Sequence, residues 1–272
     1  MNHLLRELAP ISDAGWSELD REARERLTAG LAARRLTDFS GPLGWDHSAT
    51  NLGRVEPLSE PPVDGVSAIR RRVLPLVELC AEFQVARAEL ADLDRGALAP
   101  KLDELEAAAR ALARAENVAV FHGWEAAGVV GITEASPHPT VVRDDDFNRY
   151  PSHVAKAVEL LLCEGIAGPY GLALGREDHT SVIETAEHGG YPLFQHLSEI
   201  LGGPIVWAPG VRGAVVMSLR GGDFVLESGQ DLSLGYTSHD TEAVHLYIEE
   251  SFSFRVITAE AAVAVASAVD PS

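Results

Sequence analysis

The sequence is poor in sulfur, in lysine and in aromatic rings. Its 272 residues include 2 Cys and 2 Met, and aromatic side chains make up 6%. Two cysteines exclude a disulfide framework and a zinc ribbon. Both stand in apolar runs, Val77-Glu78-Leu79-Cys80-Ala81 and Leu161-Leu162-Cys163, and read as reduced packing residues. No apolar run approaches the ~18 residues of a membrane span. The opening Met1-Asn2-His3-Leu4-Leu5-Arg6 lacks the basic-then-apolar order of a signal peptide. The expectation is a soluble, cytoplasmic protein.

Positive charge is the other scarcity. Lys+Arg total 22 against Asp+Glu 41, so the net charge is 22 − 41 = −19. A chain this acidic is a poor match for nucleic-acid phosphates, which want clustered cations. Arginine supplies 20 of the 22 cations, which suits defined ion pairs better than mobile surface charge. What remains is an ordinary globular balance, 46% hydrophobic and 23% charged, with ample core for one large domain or two intertwined ones.

Signatures of catalysis and cofactor binding are missing. There is no His-Glu-x-x-His, no Gly-x-Ser-x-Gly elbow, no phosphate-binding Gly-rich loop. His188 and His196 are separated by Gly189-Gly190 and Pro192, which is no ligand pair on one helix. His239-Asp240 has no nucleophile to serve and reads as a loop hydrogen-bonding pair. Asp144-Asp145-Asp146 reads as a solvated acidic loop. Arg220-Gly221-Gly222-Asp223-Phe224 reads as a tight turn between strands, its glycines supplying positive φ. No cofactor and no metal are expected.

Helical spacing is clear at 12–33, where Trp16, Leu19, Ala23, Leu27 and Leu31 recur among charges. It is clearest at 100–116, with Leu102, Leu105, Ala109 and Leu112 on one face and Pro100 at the start. Further helices are expected at 151–164, 177–187 and 192–201. Short strands are expected at 170–174, 205–207 and 214–217. Residues 40–65 are rich in Gly, Pro and Ser, and 74–83 reads as extended, so 47–83 looks like a long arm. Near the end Val244, Leu246, Ile248, Phe252, Phe254 and Val256 alternate strictly, broken only by Glu250. Thirteen residues of strand span roughly 43 Å, the mark of an elongated sheet.

A family resemblance runs from about residue 2 to 266. It is carried by Asn2-His3-Leu4-Leu5-Arg6-Glu7-Leu8-Ala9-Pro10 with Trp16, Gly41-Pro42-Leu43-Gly44-Trp45, Leu74-Pro75-Leu76-Val77-Glu78, Phe121-His122-Gly123 and Gly168-Pro169-Tyr170. Later come Gly190-Tyr191-Pro192, the Arg220–Phe224 turn, Gly229-Gln230-Asp231-Leu232-Ser233-Leu234-Gly235-Tyr236 and Glu250-Ser251-Phe252-Ser253-Phe254-Arg255-Val256. In order and spacing these resemble the encapsulins, which assemble into hollow icosahedral nanocompartments.

The resemblance implies an α+β fold of the tailed-bacteriophage major capsid protein type. Residues 1–46, 84–136 and 226–266 would form the peripheral domain, 47–83 the extended loop, 137–225 the axial domain and 267–272 a tail. The implied function is a structural shell, not an enzyme, built from a homo-oligomer of sixty subunits. It would enclose a peroxidase or ferritin-like iron oxidase, recruited through a C-terminal targeting peptide. The implied cargo-binding residues are Leu27, Arg34, Leu36, Asp38, Asp231, Leu232 and Leu234. The implied pore residues are Glu187, His188, Gly189, Gly190 and Tyr191, crowding a fivefold axis. Ala88 stands where some encapsulins carry an aromatic, so no stacked flavin is implied.

Two other classes compete. A prophage capsid would package a genome and want a basic lumen, whereas sixty copies here carry a charge on the order of −1,100. A free hydrolase would need a catalytic constellation that the sequence does not offer.

Overall fold

In the computed structural model the structure describes residues 3–185 and 192–267. The chain opens with α1 (Asp13–Gly30), capped by Ser12, whose hydroxyl accepts from the Gly15 amide. A one-turn α2 (Ala33–Leu36) and a short β1 (Asp38–Ser40) follow. Strands β2 (Ala49–Leu58) and β3 (Ala68–Pro75) form a hairpin, and β4 (Val77–Ala86) leads into α3 (Arg87–Asp94) and the long α4 (Asp103–His122). The middle of the chain carries α5 (Ile132–Ala135), β5 (Val141–Arg143), α6 (Tyr150–Cys163), β6 (Tyr170–Leu174), α7 (Arg176–Glu184) and α8 (Leu193–Leu201). Then come β7 (Ile205–Trp207), β8 (Ala214–Ser218), β9 (Phe224–Ser228), β10 (Ser233–His239), β11 (Ala243–Val256) and β12 (Ala262–Ser267).

The first sheet is organised by β11. Along one edge β10 and then β9 pair antiparallel with it, and β1 adds parallel to β9. Along the other edge β4 pairs with Ala243–Phe252. The second sheet has the order β5-β12-β8-β6-β7, with β12 antiparallel to β8 and parallel to β5. The β2–β3 hairpin pairs only with itself among the described residues.

Two apolar cores result. The first holds Leu19 and Leu27 of α1, Leu105 and Leu112 of α4, Phe83 of β4, and Leu246 and Ile248 of β11. The second gathers β6, β8, β12, α6 and α8, and also takes Val120 and Phe121 of α4 with Phe252 and Phe254 of β11. One helix of about 30 Å and one long strand thus serve both cores.

Several expectations are corrected. The arm is shorter than 47–83, because Val77, Leu79, Ala81, Phe83 and Val85 present an apolar face and β4 joins the first sheet, Phe83 opposite Leu246. The extended stretch 74–83 is divided between two strands, since Pro75 ends β3 and β4 begins at Val77. Residues 137–225 do not complete the second sheet by themselves: it includes β12, whose Val263 and Val265 are fully buried between β5 and β8. Conversely Phe224 and Val225 belong to β9, in the first sheet. Helix α4 starts after Pro100 and runs on to His122, since Ala119, Val120 and Phe121 continue its buried stripe. Helix α7 is described only to Glu184, so 186 and 187 lie outside the described residues. Cys80 and Cys163 are exposed, not packed, because each occupies the outward position of its strand or helix. The Arg220–Phe224 turn forms as expected, with Gly221 and Gly222 at φ 85 and 82, and passes the chain between the two sheets.

Gly131 precedes α5 and sits where a Cβ would overlap the backbone of His122 and Gly123 at the end of α4. Both neighbours are main chain and neither can swing aside. Gly131→Ala is expected to cost about 1–3 kcal/mol, the usual penalty of overpacking. A lowered midpoint of thermal unfolding measures it; an unchanged midpoint would show that this junction can open.

Candidate functional site

A cleft of about 430 Å³ lies between α1, the turn into α2, and the start of β10. Leu27 from α1, Leu31 just after that helix, Leu234 from β10 and Ile248 from β11 form its floor. Leu232, half-buried in the link between β9 and β10, offers the accessible apolar surface. Arg6, Asp20, Arg24, Arg34 and Asp231 rim it with both signs of charge. Arg6 is already committed, bonded to Asp20 at 2.8 Å and stacked over Trp16 at 4.0 Å.

Arg34 connects the rim to the interior. Its Nη1 donates to Asp231 Oδ1 at 2.5 Å, its Nε to Glu116 Oε2 at 2.6 Å and its Nη2 to Glu250 Oε2 at 2.6 Å. The guanidinium also lies over the Phe39 ring at 4.9 Å. The side chains of Glu116 and Glu250 are sealed from solvent, whereas that of Asp231 is 42% exposed. The two buried carboxyls lie within hydrogen-bonding reach of one another, yet Oε1 of each has no N–H or O–H donor. Burial pushes Glu250 well above the carboxylate range, and the charge of Glu116 adds to this against the pull of Arg34. Burial raises Glu116 too, with Arg34 pulling it back. Burial opposes the charge on Arg34, but Glu116, Glu250 and Asp231 more than offset it, and its affinity for its proton rises. Burial and mutual repulsion both work against two bare carboxylates at this place.

Asn117 completes the interior. Its Oδ1 accepts from the amides of Ala32 and Ala33 at 3.0 Å, and its Nδ2 donates to the carbonyl of Gly30. These bonds hold the α1–α2 junction against α4 and aim Arg34 at the cleft.

Five expected cargo residues therefore converge: Leu27, Arg34, Asp231, Leu232 and Leu234 line one cleft. Leu36 and Asp38 do not join them. On a helix, residues two apart face opposite sides, so Leu36 points away from Arg34. It is 3% exposed and packs where Gly171 leaves room, inside the second core. Asp38, on β1, accepts from the Gly222 amide at the Arg220–Phe224 turn. The pore residues Glu187, His188, Gly189, Gly190 and Tyr191 lie outside the described residues.

Glu116 and Glu250 escaped the sequence reading, although each left a signal. Glu250 interrupts the inward alternation of β11, and Glu116 extends the apolar stripe of α4 by its next step after Leu112. An acid on each of two buried stripes demands a shared cation or proton. The other candidates dissolve. His239 Nδ1 lies 2.5 Å from the Tyr236 hydroxyl, and Asp240 accepts from the amides of Glu242 and Ala243, so the two are not partners. Among the described residues no cluster of His, Cys, Asp and Glu is arranged to hold a metal, and no helix is long and apolar enough to cross a membrane.

Comparison with known proteins places this geometry in context. The family model described as "encapsulating protein for peroxidase" matches residues 1–253. A type 1 encapsulin shell protein of Rhodospirillum rubrum is 48% identical over 268 residues, covering 97% of this chain and 96% of the relative. That of Mycobacterium tuberculosis is 39% identical, covering 97% and 99%. Among solved structures, a virus-like particle from Pyrococcus furiosus matches with a TM-score of 0.66 at 18% identity, covering 91% and 98%. The capsid of the myovirus XM1 matches with a TM-score of 0.53 at 10% identity, covering 86% and 91%. The fold is the capsid type.

Replacing Arg34 by Met strands two buried carboxyls without their cation. The loss is expected to be about 3–5 kcal/mol at mildly alkaline pH. It should shrink at mildly acidic pH, where both carboxyls take up protons and no unpaired charge is buried. Chemical unfolding at the two pH values measures this, and equal losses at both would detach the cluster's stability from its charge.

Proposed function

The chain belongs to the family of type 1 encapsulin shell proteins, and from that premise we propose that the cleft between α1 and β10 is the dock at which its shell captures a cargo enzyme. It is a shell protein, and it acts by assembling with copies of itself around a lumen. In this reading sixty copies close an icosahedral shell in the cytoplasm. The first sheet with α1 and most of α4 forms the peripheral part, the second sheet the axial part, and the β2–β3 hairpin the extended arm. The cargo carries a C-terminal targeting peptide and is a peroxidase or a ferritin-like iron oxidase; the description of the matching family favours the peroxidase. The chain itself contributes walls and docks, not chemistry.

The observation that carries the dock is the convergence of Leu27, Arg34, Asp231, Leu232 and Leu234 from two segments remote in sequence. A short peptide with a few apolar anchors would bury them against Leu232 and the leucine floor. Arg34 and Asp231 would fix its direction through charged hydrogen bonds to its backbone. Each dock need bind only weakly, because an oligomeric cargo presents several peptides to many docks.

Two experiments test these assignments. Leu232→Asp, co-expressed with the enzyme that co-purifies with wild-type shells, should give closed shells whose filling falls several-fold. Filling at the wild-type level would remove Leu232 from the dock. Assembly is tested at the hairpin, where Val63, Val66 and Ile69 are 64%, 54% and 65% exposed and find no cover within the chain. The double variant Val66→Asp with Ile69→Asp should elute as monomers or small oligomers. Closed shells under the electron microscope would show that the arm is not an assembly contact.

A further inference from the structure

We propose that Glu116 and Glu250 are positioning residues of the cargo cleft, holding one proton between them, and that loss of this proton withdraws Arg34 and weakens peptide binding. The proposal rests on the dock reading above, and it concerns two residues that never touch the peptide.

Arg34 has five N–H groups, and three are spent on Glu116, Glu250 and Asp231. Two remain, one on each terminal nitrogen, on a side chain that lines the cleft. Behind them Oε1 of Glu116 and Oε1 of Glu250 are buried without a donor. With one shared proton the pair carries a single negative charge, which Arg34 balances, and each Oε1 is satisfied by the shared O–H. Without it two negative charges face one cation, and Arg34, which already bonds both carboxyls, carries further N–H groups that can answer them. The guanidinium is then drawn inward, its hold on Asp231 loosens, and the peptide loses both a donor and the orienting pair.

The surroundings restrict the effect to this pair. The charged groups acting on it are Arg34 from α2 and Asp231 from the β9–β10 link. Strand β4 places the apolar Leu79 opposite Glu250, and α4 places the uncharged Asn117 beside Glu116. Burial raises the affinity of both carboxyls for protons, so a shared proton is held to a higher pH than an ordinary carboxyl holds its own and leaves as the pH rises. Binding should therefore be level through neutral pH and fall on the alkaline side.

The test uses assembled, empty shells and a fluorescently labelled synthetic peptide copying the C-terminal segment of the enzyme that co-purifies with wild-type shells. Infrared difference spectra should show a protonated buried carboxyl at neutral pH that disappears on alkaline titration and is missing in Glu250→Gln. Peptide affinity of wild-type shells should fall on the order of tenfold across the same titration, equivalent to one pKa unit of coupling. Glu250→Gln fixes the pair in its singly charged state, so its affinity should stay level over that range. Should that variant fail to assemble, Glu116→Gln makes the same comparison from the other carboxyl. Absence of the infrared band in wild-type shells overturns the proposal. So does an alkaline fall that is equally steep in the glutamine variant, and in that case the dock itself stands. Wild-type shells that retain the band but bind no peptide at any pH overturn the dock reading, and the proposal with it.

Discussion

The two cores of this chain share α4 and β11, and the place where one core gives way to the other is polar on both elements. Leu112 and Ala113 of α4 belong to the first core, Ala119 and Val120 to the second, and Glu116 and Asn117 lie between. On β11, Ile248 belongs to the first, Phe252 to the second, and Glu250 lies between. Arg34 closes this seam by bonding both glutamates, while Asn117 ties the α1–α2 junction to it. A buried ion cluster is weak evidence for stability, because desolvation offsets much of its Coulombic gain. What it supplies here is register. An α4 or a β11 displaced by one step would bury a carboxyl without its cation, so the relative placement of the cores is narrowly specified.

That placement matters more for a shell than for a solitary enzyme. Subunits of a closed shell must agree on one shape, since any slack between the two cores would change the angle at which neighbours meet. The hairpin β2–β3 extends from the same frame. Its base is pinned where the Thr50 hydroxyl bonds Glu227 and meets the Ser253 hydroxyl at 2.5 Å, while its far end carries the exposed valines and isoleucine. The hairpin is anchored by polar bonds at its base and leaves apolar surface exposed at its far end.

What was legible in the sequence follows the range of the signal. Helices α1 and α4 and strand β11 declare themselves because their periodicity is local and each buries one clean stripe. The partners of strands are not local. Nothing within 77–86 says that it pairs with 243–252, nor does Ala262–Ser267 announce that it sits inside a sheet built from residues 141–218. The split of the expected dock has the same origin. Leu36 and Asp38 are near Arg34 in sequence, but the single turn of α2 sends Leu36 to the opposite side and β1 carries Asp38 to the Arg220–Phe224 turn. Helical geometry decides which of the residues implied by the encapsulin resemblance line one cleft.

The acidity of the chain and the interior cluster around Arg34 are linked by the same shortage. With 22 cations for 41 acids, most carboxylates must be left to water, and an acid brought inside needs either a scarce cation or a proton. Arg34 serves three carboxyl groups at once, and Glu116 and Glu250 make up the deficit by sharing a proton. Economy of cations thus converts a structural seam into a titratable one. Because Asp231 extends that seam to the cleft, the interior charge of the fold and the surface offered to a peptide are parts of a single hydrogen-bonded unit, and a change of charge at one end must be felt at the other.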